Sequence, residues 1–206
     1  MGQGGRDKTT WKICGENHQM TPILVTSNIH KAREFRAIFR SEGMELEFER
    51  MRTIEIQSDS LVEIAVFSSL QAYTILRRPL FVEDAGLFIE NLDGFPGPYS
   101  SYVYKTIGVD GVVRLLEGRD RRATFVSVIS YYDGSRGPRI FKGSVRGFIA
   151  TAPRGRGGFG FDPIFIPEGF DQTFAEMGLK RKIGVSHRAR SARSLIRWLR
   201  DKVNRS

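Results

Sequence analysis

At 206 residues, 40% hydrophobic and 27% charged, the chain is long enough to bury a core and too ordinary in composition to be disordered or fibrous. Its net charge of +9 comes from 24 Arg and 8 Lys, a balance that favours anionic ligands, and Arg favours phosphate in particular. No apolar run reaches the length of a membrane span, no signal peptide is visible and Cys14 is alone, so a cytoplasmic protein without disulfides or a membrane partner is expected.

Residues 1–20 are aperiodic and read as a flexible tail, leaving 21–206 as one domain. Pro22 to Thr26 is a short apolar run, predicted as a buried strand. Ser27 and Asn28 then start a helix with Ala32, Phe35, Ile38 and Phe39 at helical spacing. Leu46 to Glu49 and Thr53 to Gln57 alternate like half-exposed strands. Ser60 and Glu63 predict a capping box for a helix running to about Leu76, with Leu61, Ile64, Ala65, Ser68, Ala72 and Ile75 on one face. Beyond Pro79, Leu80 to Val82 is a second buried strand ending at Glu83-Asp84. Leu87 to Glu90 continues extended, and 93–98 form a rigid loop. Val109 to Leu116 predicts a short helix. Thr124 to Tyr132, Arg139 to Phe141 and Val145 to Ala150 predict a β-meander. Ala192, Leu195, Ile196, Leu199 and Val203 mark the apolar stripe of a final helix, with Arg190, Arg193, Arg197 and Arg200 in a row beside it. Helices between the early strands, then a meander, imply an α/β protein with a mixed central sheet and flanking helices.

Several groups suit chemistry. Glu83 and Asp84 end a buried strand, where open α/β sheets place ligands. Neighbours on a strand face opposite ways, so at most one of them looks into a given cleft. Asp84, followed by Ala85-Gly86, is the candidate for ligating metal or activating water, with capping of the turn as the plain alternative. Thr26-Ser27-Asn28 lead into a helix N-terminus whose free N–H groups suit an anion, and Lys31 in the first turn can reach a phosphate. Glu55 is either a second hard oxygen ligand or a solvated strand residue; Mg²⁺ takes one or two carboxylates, completed by water and phosphates. Lys180-Arg181-Lys182 and Ser186-His187-Arg188 read as a phosphate and base clamp, or as a basic loop capped by Ser186. One Cys and three scattered His assemble neither a zinc set nor a Cys–His nucleophile.

Gly155, Gly157 and Gly160 satisfy G-x-G-x-x-G, but Pro163 keeps a helix from opening directly after them, so they are not a dinucleotide fingerprint. What remains is a glycine-aromatic loop in which Phe159 and Phe161 offer flat faces beside Asp162, a way to hold a heterocyclic base.

Six blocks stand in order: Thr26-Ser27-Asn28-x-x-Lys31-x-x-Glu34, Val82-Glu83-Asp84-Ala85-Gly86-Leu87, Gly94-Phe95-Pro96-Gly97-x-Tyr99-Ser100, Gly158-Phe159-Gly160-Phe161-Asp162-Pro163, Thr173-Phe174-Ala175-Glu176-Met177 and Ser186-His187-Arg188. Together they resemble the inosine triphosphate pyrophosphatase (Ham1-like) family. The resemblance implies two lobes enclosing a nucleotide cleft, a homodimer, and hydrolysis of ITP, dITP or XTP to monophosphate and pyrophosphate with Mg²⁺. By position it assigns Thr26, Ser27, Asn28 and Lys31 to the triphosphate, and Glu55 and Asp84 to metal. Asp84 is also the implied base for water, with Lys31 beside it. Phe159 would stack on the purine next to Gly160, Phe161 and Asp162, while Lys182, His187 and Arg188 would recognise the base. Ala85 stands where the family usually has Ser, Ser68 where many members have Lys, and Ile183 where Asn is common. The related Maf-type pyrophosphatases share a similar architecture, and the Phe159-to-Pro163 and Ser186-His187-Arg188 blocks favour the Ham1-like family over them. A nucleic-acid module would rest on the Arg row alone, so no stable nucleic-acid partner is expected.

Overall fold

The structure is a computed structural model that describes residues 22–204; the expected tail at 1–20 lies outside the described residues. In chain order come β1 (Ile23–Val25), α1 (Ile29–Ser41), β2 (Phe48–Glu49), α2 (Leu61–Leu76) and β3 (Leu80–Ile89). β4 (Pro96–Gly97), α3 (Ser100–Thr106) and α4 (Gly108–Leu115) follow. A long hairpin of β5 (Arg122–Tyr132) and β6 (Arg139–Ile149) precedes β7 (Phe165–Pro167), α5 (Gly178–Val185) and α6 (His187–Val203). The seven strands make one mixed sheet in the order β2-β1-β3-β5-β6-β7, with β4 beside β3. β1 runs parallel to β2 and β3, as crossovers through α1 and α2 require, whereas β3, β5 and β6 are antiparallel.

The expected α/β class and mixed sheet are found, with local departures. The segment Thr53–Gln57 is irregular, because β2 is the sheet edge and nothing lies beyond it to pair. Glu55 therefore sits on an exposed loop. The rigid loop at 93–98 contains β4, α3 is an additional helix, and 139–149 is one strand where two were expected. Lys180–Lys182 lie on α5 where a loop was expected. Ser60 does cap α2 through the Glu63 N–H, but the Glu63 carboxylate accepts from Ser58 Oγ, so only half of the capping box forms. On α2 the buried face takes in Ser69 and leaves Ile75 exposed.

Alternation along the strands divides the core. Leu80 and Val82 of β3 face α2 in a cluster with Ala65, Ala72 and Val128. Phe81 looks the other way, into a cluster with Phe35 and Phe39 of α1 and Leu195 of α6. Farther along that same face, Leu87 and Ile89 join Phe125, Phe165 and Phe174 in a third cluster. Between the second and third clusters the face turns polar. β3 reads Phe81, Glu83, Leu87 on it, and β5 reads Ile129, Ser127, Phe125; Glu83 and Ser127 are buried in the seam.

The strands run close together at this end. A Cβ on Gly86 would lie 2.4 Å from the backbone oxygen of Gly97 on β4. Gly86→Ala is expected to destabilise the fold by about 3 kcal/mol, the upper part of the range for overpacking, because backbone cannot move aside as a side chain can. A shift in urea midpoint of the corresponding size checks this; an unchanged midpoint would mean that β4 is free to retreat.

Candidate active site

β1 ends at Val25, so β3 loses its neighbour on that edge just where Glu83 and Asp84 begin. Lys31, in the first turn of α1, fills the gap. Its Nζ donates to the Glu83 carbonyl oxygen at 2.9 Å, taking the place of a strand partner. From that edge it reaches both sheet faces, at 2.9 Å from Glu83 Oε2 and 4.0 Å from Asp84 Oδ1. As expected from alternation, the two side chains lie on opposite faces and only one of them looks outward; what the sequence did not reveal is that a cation at the strand edge joins them.

The turn before α1 positions this lysine. Asn28 Oδ1 accepts the N–H groups of His30 at 2.9 Å and Lys31 at 3.2 Å, and Thr26 Oγ1 accepts from the Asn28 N–H. Asn28 is therefore the helix cap, and two of the N–H groups expected to be free for an anion are already taken. Ser27 is exposed beside them.

Behind Lys31 lies a buried lattice of charge. Glu34, one turn further along α1, binds Lys182 Nζ through Oε1 and Arg188 Nη1 through Oε2. Lys182 also meets Asp162 Oδ2 at 2.6 Å, and Arg188 Nε meets Glu83 Oε1 at 3.2 Å. Ser127 Oγ donates to Glu83 Oε1 at 2.8 Å and shares a 2.8 Å hydrogen bond with Ser191. Burial would push the Glu83 carboxyl upward, but the charges of Arg188 and Lys31 overcome it and hold Glu83 at about 2. Glu34 is likewise lowered against its burial by Arg188 and Lys182. Asp162 goes the other way: burial dominates, and Glu34 repels it across the shared lysine.

Asp84 stands apart. Burial raises its carboxyl to about 6 despite Lys31, and the negative charges of Glu83 and Glu55 add to the rise. Its side chain still keeps 26% exposure, so it alone of the β3 carboxylates faces outward. Among the described residues no group of three His, Cys, Asp or Glu side chains could close around a metal ion. Asp84, with Glu55 near enough for its charge to be felt, is instead an open pair of hard oxygen donors only partly offset by Lys31, a chemistry that fits a hard divalent cation completed by substrate phosphates.

The glycine-aromatic loop bends back over this lattice. Asp162 Oδ2 accepts the Phe159 N–H at 2.8 Å, and a Cβ on Gly158 would fall 2.0 Å from that oxygen, so only glycine fits there. Phe159 is half-buried and stacks on the exposed His30 ring at 5.3 Å and 20°. Lys182 Nζ and the Arg188 guanidinium lie 5.2 and 5.3 Å from its ring centre. Gly160 is half-buried next to it.

Two expected contact residues are placed differently. Phe161 is buried in the third cluster, edge-on to Tyr104, and has no free face for a base. His187 is buried against Phe125 at 4.5 Å, and its Nδ1 has no partner among the described residues; burial, then the neighbouring Arg188 charge, holds it neutral. Both anchor the wall from behind. Ser68 is buried on α2, and Ile183 packs beside α1 and α6. Glu83 was named beside Asp84 and Glu34 within the first block, but neither received a defined role, and Ser127 and His30 received none. A charged Glu34 next to Phe35 on the apolar stripe of α1 was the available signal; Ser127 and His30 carried none.

The seven-stranded mixed sheet with helices on its faces makes this a mixed α/β protein, the class also of the solved Ham1 structures it resembles. A model of the Ham1 family matches residues 22–198. The chain is 50% identical over 180 residues to a dITP/XTP pyrophosphatase of Hyperthermus butylicus, covering 87% of this chain and 94% of that one. It is also 50% identical over 185 residues to a dITP/XTP pyrophosphatase of Thermococcus kodakarensis, covering 89% and 100%. A HAM1 protein structure from Coxiella burnetii superposes with a TM-score of 0.77 at 29% identity, over 88% of this chain and 100% of that one. The chain belongs to the Ham1 family.

Proposed function

We propose that the protein hydrolyses non-standard purine nucleoside triphosphates, dITP, ITP and XTP, to the monophosphate and pyrophosphate. One observation carries the reading: consecutive residues of α1 join the aromatic wall to the outward carboxylate, His30 stacking on Phe159 and Lys31 touching Asp84. The names of the two 50% identical relatives support the same activity.

In this reading the purine lies against Phe159, with Lys182 and Arg188 as donors to its 6-oxo oxygen. An adenine amino group would meet these donors with no acceptor, and leaving a buried polar group unpaired discriminates by about 10⁴-fold or more. Lys31 neutralises phosphate charge, and Asp84 and Glu55 would hold Mg²⁺. Bound Mg²⁺ supplies charge neutralisation at the phosphates. Asp84 takes a proton from water as the water oxygen bonds to the α-phosphorus. The bridging bond to the β-phosphate breaks, and its electron pair leaves with pyrophosphate. Pyrophosphate release from a panel of dITP, XTP, ATP and GTP, with and without Mg²⁺, tests this; equal rates on all four would overturn it.

Phe159→Ala is expected to weaken purine binding by about 1–3 kcal/mol, the worth of one base–aromatic stack. Substrate affinity at equilibrium checks it, and an unchanged value would leave Phe159 as packing. A cytoplasmic homodimer belongs to the same reading. It is supported by Phe95, Tyr99, Tyr102 and Ile107, exposed apolar residues around β4 and α3. Sedimentation as a monomer at micromolar concentration would remove it.

A further inference from the structure

α6 carries a second set of cations on another side. Arg188 points into the buried lattice, whereas Arg190, Arg193 and Arg197 line a cavity of about 380 Å³ against β6. Lys142, Ser144 and Ser194 complete its wall, with Glu42 as the one carboxylate. β7 pairs with β6 only at Gly147 to Ile149, so the strand edge before it is open, and this cavity runs along it.

The groups differ in how far they are already committed. Arg193 is spent on structure: its Nε meets Glu42 Oε1 at 2.8 Å and its Nη2 donates to the Ile183 carbonyl at 3.1 Å. Glu42 is thereby neutralised. Arg190 gives only Nη1 to the Ser144 carbonyl, at 2.7 Å, which satisfies the open strand edge and leaves its Nε and Nη2 for a ligand. Arg197 makes one long contact, 3.4 Å to Ser194 Oγ. Lys142 Nζ has no partner among the described residues. Arg190 and Arg197 thus bring spare donors to one concavity whose only carboxylate is occupied, and Lys142 adds charge at its rim from the open strand edge, its side chain rising from the opposite sheet face.

Aromatic side chains are absent from the wall, so nothing there would stack on a base. A second cavity of about 240 Å³ shares Ser144 and Arg190 with the first and extends it into a trough, adding one cation, Arg146, and one carboxylate, Glu168, so that cations still outnumber carboxylates along it. Arg190 and Arg197 are two helical turns apart, roughly 10 Å along the axis, a span suited to several linked phosphates better than to one. We propose that this trough between β6 and α6 is a binding site for inorganic oligophosphate, separate from the nucleotide cleft. Arg190 and Arg197 supply the charge-assisted donors, Lys142 adds positive charge at the rim, and Arg193 with Glu42 fixes the wall.

Calorimetric titration with tripolyphosphate tests the site in the whole chain. Wild type is expected to bind it at the trough in addition to the cleft. The double variant Lys142→Gln, Arg197→Gln alters exposed side chains only. It is expected to lose that binding event or weaken it at least tenfold, with the thermal midpoint and dITP turnover unchanged. Orthophosphate is expected to bind more weakly than tripolyphosphate. Ser194→Glu, which puts a carboxylate into an intact wall, is expected to give the same loss and serves should the double variant fold poorly. Superimposable isotherms for wild type and the folded variants would overturn the proposal. So would a single-stranded oligonucleotide that binds the trough more tightly than tripolyphosphate. Neither outcome bears on nucleotide hydrolysis, which is read separately.

Discussion

Asp84→Asn is expected to lower kcat by about 10² to 10⁴-fold, the range supplied by a positioned general base, while making the metal-free protein more stable. Both effects come from one cause. Asp84 lies in a partly buried position where burial and the charges of Glu83 and Glu55 favour the protonated form, up to about pH 6. A carboxyl whose folded value lies above its unfolded value of 3.8 contributes stability below 3.8, and that contribution is lost as pH rises through 6. Asn mimics the neutral form at every pH, so the variant is expected to gain about 1–3 kcal/mol at pH 7 and nothing at pH 3. Urea denaturation in chelator at the two pH values, beside steady-state turnover, separates the outcomes. A variant with full activity would remove Asp84 from the chemistry. One that is inactive and less stable would mean that its charge is structural.

Glu34→Ala is expected to have the opposite profile, a loss of about 3–5 kcal/mol of stability, the usual cost of removing one member of a buried charge set. Glu34 holds Lys182 and Arg188 together from a nearly inaccessible position. Without it, those cations keep only Asp162 and Glu83 respectively. Because Glu34 is held below 4.5, its contribution is present above that value and fades as pH falls through the lowered one. The penalty of the substitution is therefore expected to be larger at pH 7 than at pH 4. In turnover the same change is expected to raise KM for dITP more than it lowers kcat, if the displaced groups recognise the base as proposed. A loss below about 1 kcal/mol would show that Asp162 and Glu83 suffice.

Much of the fold was legible because the periodicities were clean. The apolar run before Thr26, the stripe on α1 and the caps Asn28, Ser60 and Ser186 all signalled their elements locally. Thr53–Gln57 failed because alternation marks a strand only where a neighbour exists to bond it, and β2 closes the sheet there. α5 was missed because Lys180, Arg181 and Lys182 look solvated in sequence, whereas the Lys182 ammonium is buried among carboxylates from distant segments. Motif order named the candidate residues, but not their burial. Phe161 and His187 share blocks with Phe159 and Arg188, yet face the core. Which ring of a motif is presented and which is anchored is decided by long-range packing, and spacing alone cannot express it.

The Glu34–Lys182–Arg188 lattice bears on how ionic strength acts. Mobile ions screen exposed charges within about 10 Å at 0.1 M but reach buried pairs poorly. Added NaCl is therefore expected to slow the encounter of nucleotide with this strongly cationic surface while leaving the preference for dITP over dATP intact. Attraction and choice reside in different dielectric environments, so a change of medium can weaken the first without eroding the second.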